Sequence, residues 1–269
     1  MRLRSIVRIG SAGEGLSEAL ASEADAILLT TATDARPAAS LRNTAREAMH
    51  AASEAGKQAF VLVNHPRTQL LRDDLDMLTA PELAGVFVNH TVEPQDLRDS
   101  AVLLREFELA RDIEPGAVAV YAVVDSARAL VRAGDLMQAT ARVTGLVFDS
   151  DGYARDVGAR SEESGPRLAY ARGAVVAAAR ASDGLPLVAA GPLEARELAQ
   201  YGFAAAILPD CAGVAQVNMA FSAGQAAKER AERHVQRYEA ARAEGLWVAR
   251  DGSDVVDASS ARRARQVLD

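Results

Sequence analysis

The stretch AVAVYAVVDSARAL, Ala117–Leu130, sets the reading of the whole chain. It opens on an unbroken apolar run, the pattern of a strand buried on both faces, as parallel strands are. An Asp–Ser pair ends the run, and a helical pattern starts at Ala127. Seven further runs of this kind stand on either side: Ser5–Ile9, Ala26–Thr30, Ala59–Val63, Gly85–Val88, Val143–Phe148, Pro186–Ala189 and Ala204–Leu208. Helical patterns fill the gaps at Leu16–Ala24, Leu41–Ala55, Gln69–Leu78, Pro94–Leu109, Ala127–Gln138, Arg167–Ala181 and Leu193–Gln200, with another at Gly213–Phe221. Eight strand–helix repeats predict an α/β chain closed as a (β/α)8 barrel, and an open doubly wound sheet is the alternative.

The chain has 269 residues, about the length of one such barrel. No low-complexity linker divides it, so residues 1–222 are expected to form the barrel. Residues 223–269 form a helical extension expected to pack on the barrel or on a neighbouring subunit. That extension reads as a charged helix, Ala223–Ala243, an extended piece, LWVARDGSDVVD, and a last helix, Ser259–Leu268. Aromatic residues are only 4% of the chain, so alanine, valine and leucine must fill the interior. A net charge of −7 gives no basic footprint for nucleic acid. The single cysteine, Cys211, allows no internal disulfide and fits a reducing, cytoplasmic setting. The apolar run at the N-terminus is short for a signal peptide, and no stretch approaches the roughly 20 apolar residues of a spanning helix.

Chemistry in a barrel of this kind sits at the C-terminal ends of the strands. Those positions hold Thr30 and Thr31 after the second strand, and Asn64, His65, Asn89 and His90 in the repeated phrase VNHP and VNHT. Asp125 follows the fifth strand, Asp149 and Asp151 the sixth, and Asp210 and Cys211 the eighth. Each of these residues alone suits a turn, and DSDG at Asp149–Gly152 carries a turn signature. Because strand ends converge on one mouth, carboxylates and histidines together make a candidate site for a divalent cation. Asp125 and Asp151 are the candidate metal ligands, and His90 and His65 the candidate catalytic groups. Thr30, Asn64, Asn89 and Asp210 are candidate substrate contacts. Gly10, Gly13 and Gly15 match no phosphate-loop spacing. Cys211 beside Asp210 is expected to be unreactive.

Several longer stretches resemble the citrate lyase beta-subunit and HpcH/HpaI aldolase family. AVVDSARAL (Ala122–Leu130) is similar to the family's ALIETARGV, and GLVFDSDGYARDVGAR (Gly145–Arg160) to GLAFGAEDLAADLGAR. LAYARGAVVAAARASDGLP (Leu168–Pro186) and the tail DGSDVVDASSARRARQVL extend the likeness over nearly the whole chain. The resemblance implies a magnesium-dependent carbon–carbon lyase acting on acyl thioesters or 2-oxo acids, with the metal holding an enolate oxygen. It also implies a homo-oligomer, a trimer or hexamer. Its metal-binding glutamate corresponds to Asp125, and its metal-binding aspartate to Gly152, with Asp151 one place earlier. The substrate-clamping arginine corresponds to Leu62, and a lysine after the fourth strand to His90. Arg128 and Arg172 match arginines of the pattern and are expected to be structural. These departures predict weak or absent magnesium binding and a degenerate site. A non-catalytic paralogue serving as a binding or structural subunit is the alternative function, and a barrel enzyme of unrelated chemistry is a third.

Overall fold

A computed structural model describes residues 3–10, 13–31, 39–159 and 164–268. Among the described residues, eight parallel strands close into a barrel in sequence order. They are β1 (Ser5–Arg8), β2 (Ala26–Thr30), β3 (Gln58–Val63), β4 (Leu83–Val88), β5 (Ala119–Val124), β6 (Val143–Asp149), β7 (Leu185–Ala189) and β8 (Ala205–Leu208). Closure is made by β1 against β8, with Ser5 opposite Ala206 and Val7 opposite Leu208. The open-sheet alternative is thereby excluded.

The helices α1 (Leu16–Ala21), α2 (Ala39–Glu54), α3 (Leu70–Leu78) and α4 (Pro94–Ala110) follow the first four strands. Local chemistry starts α4: Glu93 and Asp96 form a capping box, and Pro94 takes a position where its missing N–H is harmless. The helix expected over Ala127–Gln138 is broken at Arg132 into α5 (Ala127–Val131) and α6 (Ala133–Met137). Arg128 and Arg132 both reach back to Glu93, and Gly134 weakens helix continuity beyond the break.

A second correction concerns DSDG. Asp149 is the N-cap of a short helix, α7 (Ser150–Asp156), accepting from the Gly152 N–H at 3.1 Å. An Asp accepting from an N–H further along the chain starts a turn and a helix alike, so the motif itself does not separate them. The next helix, α8 (Ser164–Ala181), begins earlier than expected, taking Gly165 and Pro166 into its first turn. The series ends with α9 (Ala195–Tyr201) and α10 (Val214–Phe221).

Side chains alternate along each strand between the helical layer and the barrel interior. The interior cluster comprises Ile6, Ala26, Leu28, Phe60, Phe87, Tyr121, Val123, Val147, Leu187, Ala205 and Ile207. Phe60, Phe87 and Tyr121 meet in a triangle with ring centroids 5.1–5.8 Å apart. Gly145 makes room for it, since a Cβ there would lie 3.1 Å from the Tyr121 ring and 2.1 Å from the Leu185 carbonyl oxygen. The result is a dry aromatic floor beneath the mouth.

Residues 222–269 form a separate compact unit. In it α11 (Gln225–Ala243) packs on α12 (Ala258–Leu268), and a hairpin pairs β9 (Ala249–Asp251) with β10 (Asp254–Val256). Tyr238, Val256 and Ala261 make its small core. Arg242 lies over the ring of Trp247, 4.0 Å from its centroid. Among the described residues, no helix is long and apolar enough to cross a membrane.

Candidate active site

The alternation that buries Ile6, Leu28, Phe87, Val123, Val147 and Ile207 continues one step up each strand. That step brings Arg8, Thr30, Asn89, Asp125, Asp149 and Pro209 to the mouth, with the apolar Leu62 among them. Asp125 is 8% exposed, and its Oδ2 meets His90 Nδ1 in a short hydrogen bond. His90 adopts a left-handed backbone with φ 51°, which swings its ring across to β5. A carboxylate has no proton to give, so Nδ1 donates and Nε2 is left as the accepting nitrogen of the neutral ring. The His90 side chain is 71% exposed.

Burial pushes the Asp125 carboxyl above the usual carboxylate range, and His90 pulls against it while the nearby Asp149 charge adds to it. Asp149 Oδ1 is taken by the Gly152 N–H. A Cβ at position 152 would lie 2.7 Å from Asp149 Oδ2 and 2.9 Å from the Asp125 Cβ. The bare glycine therefore lets the two carboxylates share this corner of the mouth.

Asp151 is exposed on the first turn of α7. It lines a cavity of about 220 Å³ with Arg8, Asp149, Gly191, Glu194 and Pro209. Among the described residues, no three His, Cys, Asp or Glu side chains converge in a metal-holding arrangement.

The other candidates are placed as follows. Both Nδ2 hydrogens of Asn64 are engaged, by the Thr31 carbonyl at 3.0 Å and by Asp74 at 2.8 Å. Asp74 is fully buried and also takes Arg42 Nε at 2.9 Å, so Asn64 stitches β2, β3 and the α2–α3 pair. His65 caps the short turn Pro66–Thr68, its Nδ1 accepting from Arg67 N, with Nε2 3.3 Å from Asp96. Burial would raise Asp96, but the N–H groups of Glu93 and Val92 together with His65 hold it below the usual range. Asp210 accepts from the Ala212 N–H in its own turn. Burial and the nearby Glu18 charge push the Cys211 thiol up, away from the reactive thiolate. Thr30 closes β2 at the mouth, and Asn89 directly precedes His90. Arg128 is paired with Glu93, and the fully buried Arg172 with Glu194 at 2.7 Å.

The structure thus brings His90 and Asp125 together, with Asp149 beside them, and commits His65 and Asn64 elsewhere. Asp149 was among the strand-end candidates but was read as a turn residue, and Arg8 was absent from the sequence-derived site. Carrying the inside–outside alternation to the last residue of each strand finds both.

These features define an α/β barrel whose acidic C-terminal mouth carries a His–Asp pair. The chain belongs to the HpcH/HpaI aldolase/citrate lyase family, whose sequence profile matches residues 10–208. Citrate lyase subunit beta of Escherichia coli strain K12 is 27% identical over 221 residues, 78% of this chain and 73% of that protein. The fold is similar to a citrate lyase from Burkholderia xenovorans LB400, with TM-score 0.75, 16% identity, and coverage of 100% of this chain and 91% of that one. It is also similar to the protein CitE of Mycobacterium tuberculosis in complex with magnesium, acetoacetate and coenzyme A (TM-score 0.68, 18% identity, covering 99% and 97%). A malate synthase of Haloferax volcanii in a magnesium/glyoxylate complex gives TM-score 0.70 at 15% identity, covering 98% and 88%.

Proposed function

We propose that the mouth is a proton-transfer site for small hydroxy or oxo acids or their thioesters, in which His90 is the base and Asp125 its orienting partner. The observation that carries this is the bond from His90 Nδ1 to Asp125 Oδ2, which holds Nε2 ready to accept a proton. When Nε2 takes a proton from a substrate hydroxyl or from a carbon beside a carbonyl, the buried carboxylate balances the imidazolium that forms. In an aldol-type cleavage, that proton leaves the hydroxyl as the carbon–carbon bond breaks. The bonding electrons then go to the carbon beside the second carbonyl.

The residues at the positions marked by the family resemblance do not fit magnesium. Position 152 has no side chain, and any Cβ there would collide with Asp149 and Asp125. Asp125 has one oxygen committed to His90, and Asp151 is exposed on the helix turn. Magnesium needs a near-octahedral oxygen shell built around one or two carboxylates. We expect its binding to be weak or absent. The non-catalytic alternative has its own support in Leu62, which puts an apolar side chain at the mouth where a polar substrate would lie.

Solvent exchange tests the reading without knowledge of the full substrate. The chain, stripped with chelator, is incubated in heavy water with pyruvate or acetyl-coenzyme A, and loss of the methyl proton signal is followed. We expect exchange above buffer that falls about 10²–10⁴-fold in His90→Gln. Absence of exchange without metal, or exchange indifferent to His90→Gln, refutes it.

We further propose a cytoplasmic homo-oligomer. The family resemblance supports this, as do the exposed apolar residues Leu246, Trp247 and Val248 in the C-terminal unit.

A further inference from the structure

Arg8 is the last residue of β1, one inward step above Ile6. It lines the 220 Å³ cavity with Asp149, Asp151 and Glu194. Four other arginines of the barrel are answered by carboxylates: Arg4 by Asp25, Arg42 by Asp74, Arg142 by Glu108 and Arg172 by Glu194. The Arg8 side chain makes no hydrogen bond or ion pair with another described residue. Of the three carboxylates on the wall, Glu194 already binds the fully buried Arg172. Asp149 is held by the Gly152 N–H. A guanidinium presents five donors and no acceptor, so its natural complement is a planar anion taken in two parallel bonds.

Position adds direction. In a closed barrel of eight strands in sequence order, β1 stands opposite β5. Arg8 and Asp125 therefore end strands on opposite sides of the mouth. A cavity of 220 Å³ holds about seven waters at ~30 Å³ each, room for a small acid.

We propose that Arg8 binds the carboxylate of the substrate, fixing the acid so that its reacting carbon lies toward His90. The orientation rests on the proton-transfer reading above, whereas the anion contact stands alone. Leu62 offers no polar contact from β3, so in this chain the contact comes from β1.

Calorimetric titration of the full chain with malonate and with pyruvate tests the contact directly. Arg8→Gln should weaken both at least tenfold, and Arg8→Lys should weaken them less, because lysine keeps the charge but not the fork. Pyruvamide, which lacks the carboxylate, should be indifferent to Arg8→Gln. Equal malonate affinity in the unaltered chain and in Arg8→Gln overturns the proposal, as does failure of the unaltered chain to bind malonate. If Arg8→Gln does not fold, the Arg8 Nε–H resonance of the unaltered chain gives the answer: a shift on adding malonate supports the contact, and none overturns it. Arg8-dependent malonate binding without deuterium exchange upholds the anion contact while removing the proton-transfer reading.

Discussion

The two ends of the barrel use the same kinds of charged side chain to opposite effect. At the N-terminal end, Glu108 is fully buried yet held below the usual carboxylate range. Burial pushes it up, but Arg142 in two bonds of 2.6 and 2.7 Å and the N–H groups of Val118 and Gly116 outweigh that. Asp25 is similarly enclosed by the Arg4 fork and by the backbone N–H groups of Arg4 and Ser5. At the C-terminal end, Asp125 has a histidine on one side and a second carboxylate on the other, and it goes up. Burial is common to both ends. What differs is the number of donors, and a carboxylate left short of donors keeps an affinity for protons that chemistry can use.

The largest expected effect comes from breaking the saturated end. Glu108→Ala strands Arg142 and two N–H groups, and should cost about 3–5 kcal/mol of stability by denaturant unfolding. The same group sets an acid dependence. Its folded pKa is depressed, so its stabilisation is present above the unfolded value, ~4.3, and is lost as pH falls through the folded one. In Glu108→Gln this part of the acid slope should vanish.

Gly152→Ala should come next, at about 1–3 kcal/mol, because the new Cβ must displace Asp149 or Asp125. Should its unfolding curve match that of the unaltered chain, the shared carboxylate corner is not as tight as described.

Two variants then sharpen the contrast at the mouth in opposite directions. His90→Gln removes the group that opposes burial, so carboxyl carbon NMR should find Asp125 titrating at higher pH. Asp149→Asn removes a like charge, and Asp125 should titrate lower, by a smaller amount because Asp149 is the lesser cause. Since the folded pKa of Asp125 is raised, stability declines as pH rises from its unfolded value through its folded one. Asp149→Asn narrows that window and His90→Gln widens it. A shift of Asp125 in the same direction in both variants would contradict the assignment of causes.

The barrel was legible because its strands are short, apolar on both faces and separated by helical periodicity. Each of the eight lies within two residues of its expected bounds. Local chemistry was harder to read where one signature serves two structures, as at Asp149, where a turn motif is a helix cap. The two VNH phrases make the same point about the site. His65 precedes Pro66, which disfavours helical backbone before it, and His65 is extended at φ −65°, ψ 140°. His90 precedes Thr91, is free to enter the left-handed region, and so reaches Asp125. That proline was visible in the sequence. The pairing over 35 residues was not, since it depends on where two strand ends converge.

The chain has a single tryptophan, and it is Trp247, outside the barrel, beneath the Arg242 guanidinium. Phe60, Phe87 and Tyr121 fill the barrel floor without one, and burial pushes the Tyr121 hydroxyl up to about 12. The protein therefore carries its own optical label for one unit. Emission excited selectively from indole reports the C-terminal unit alone, and a melt followed in that colour times the loss of that unit.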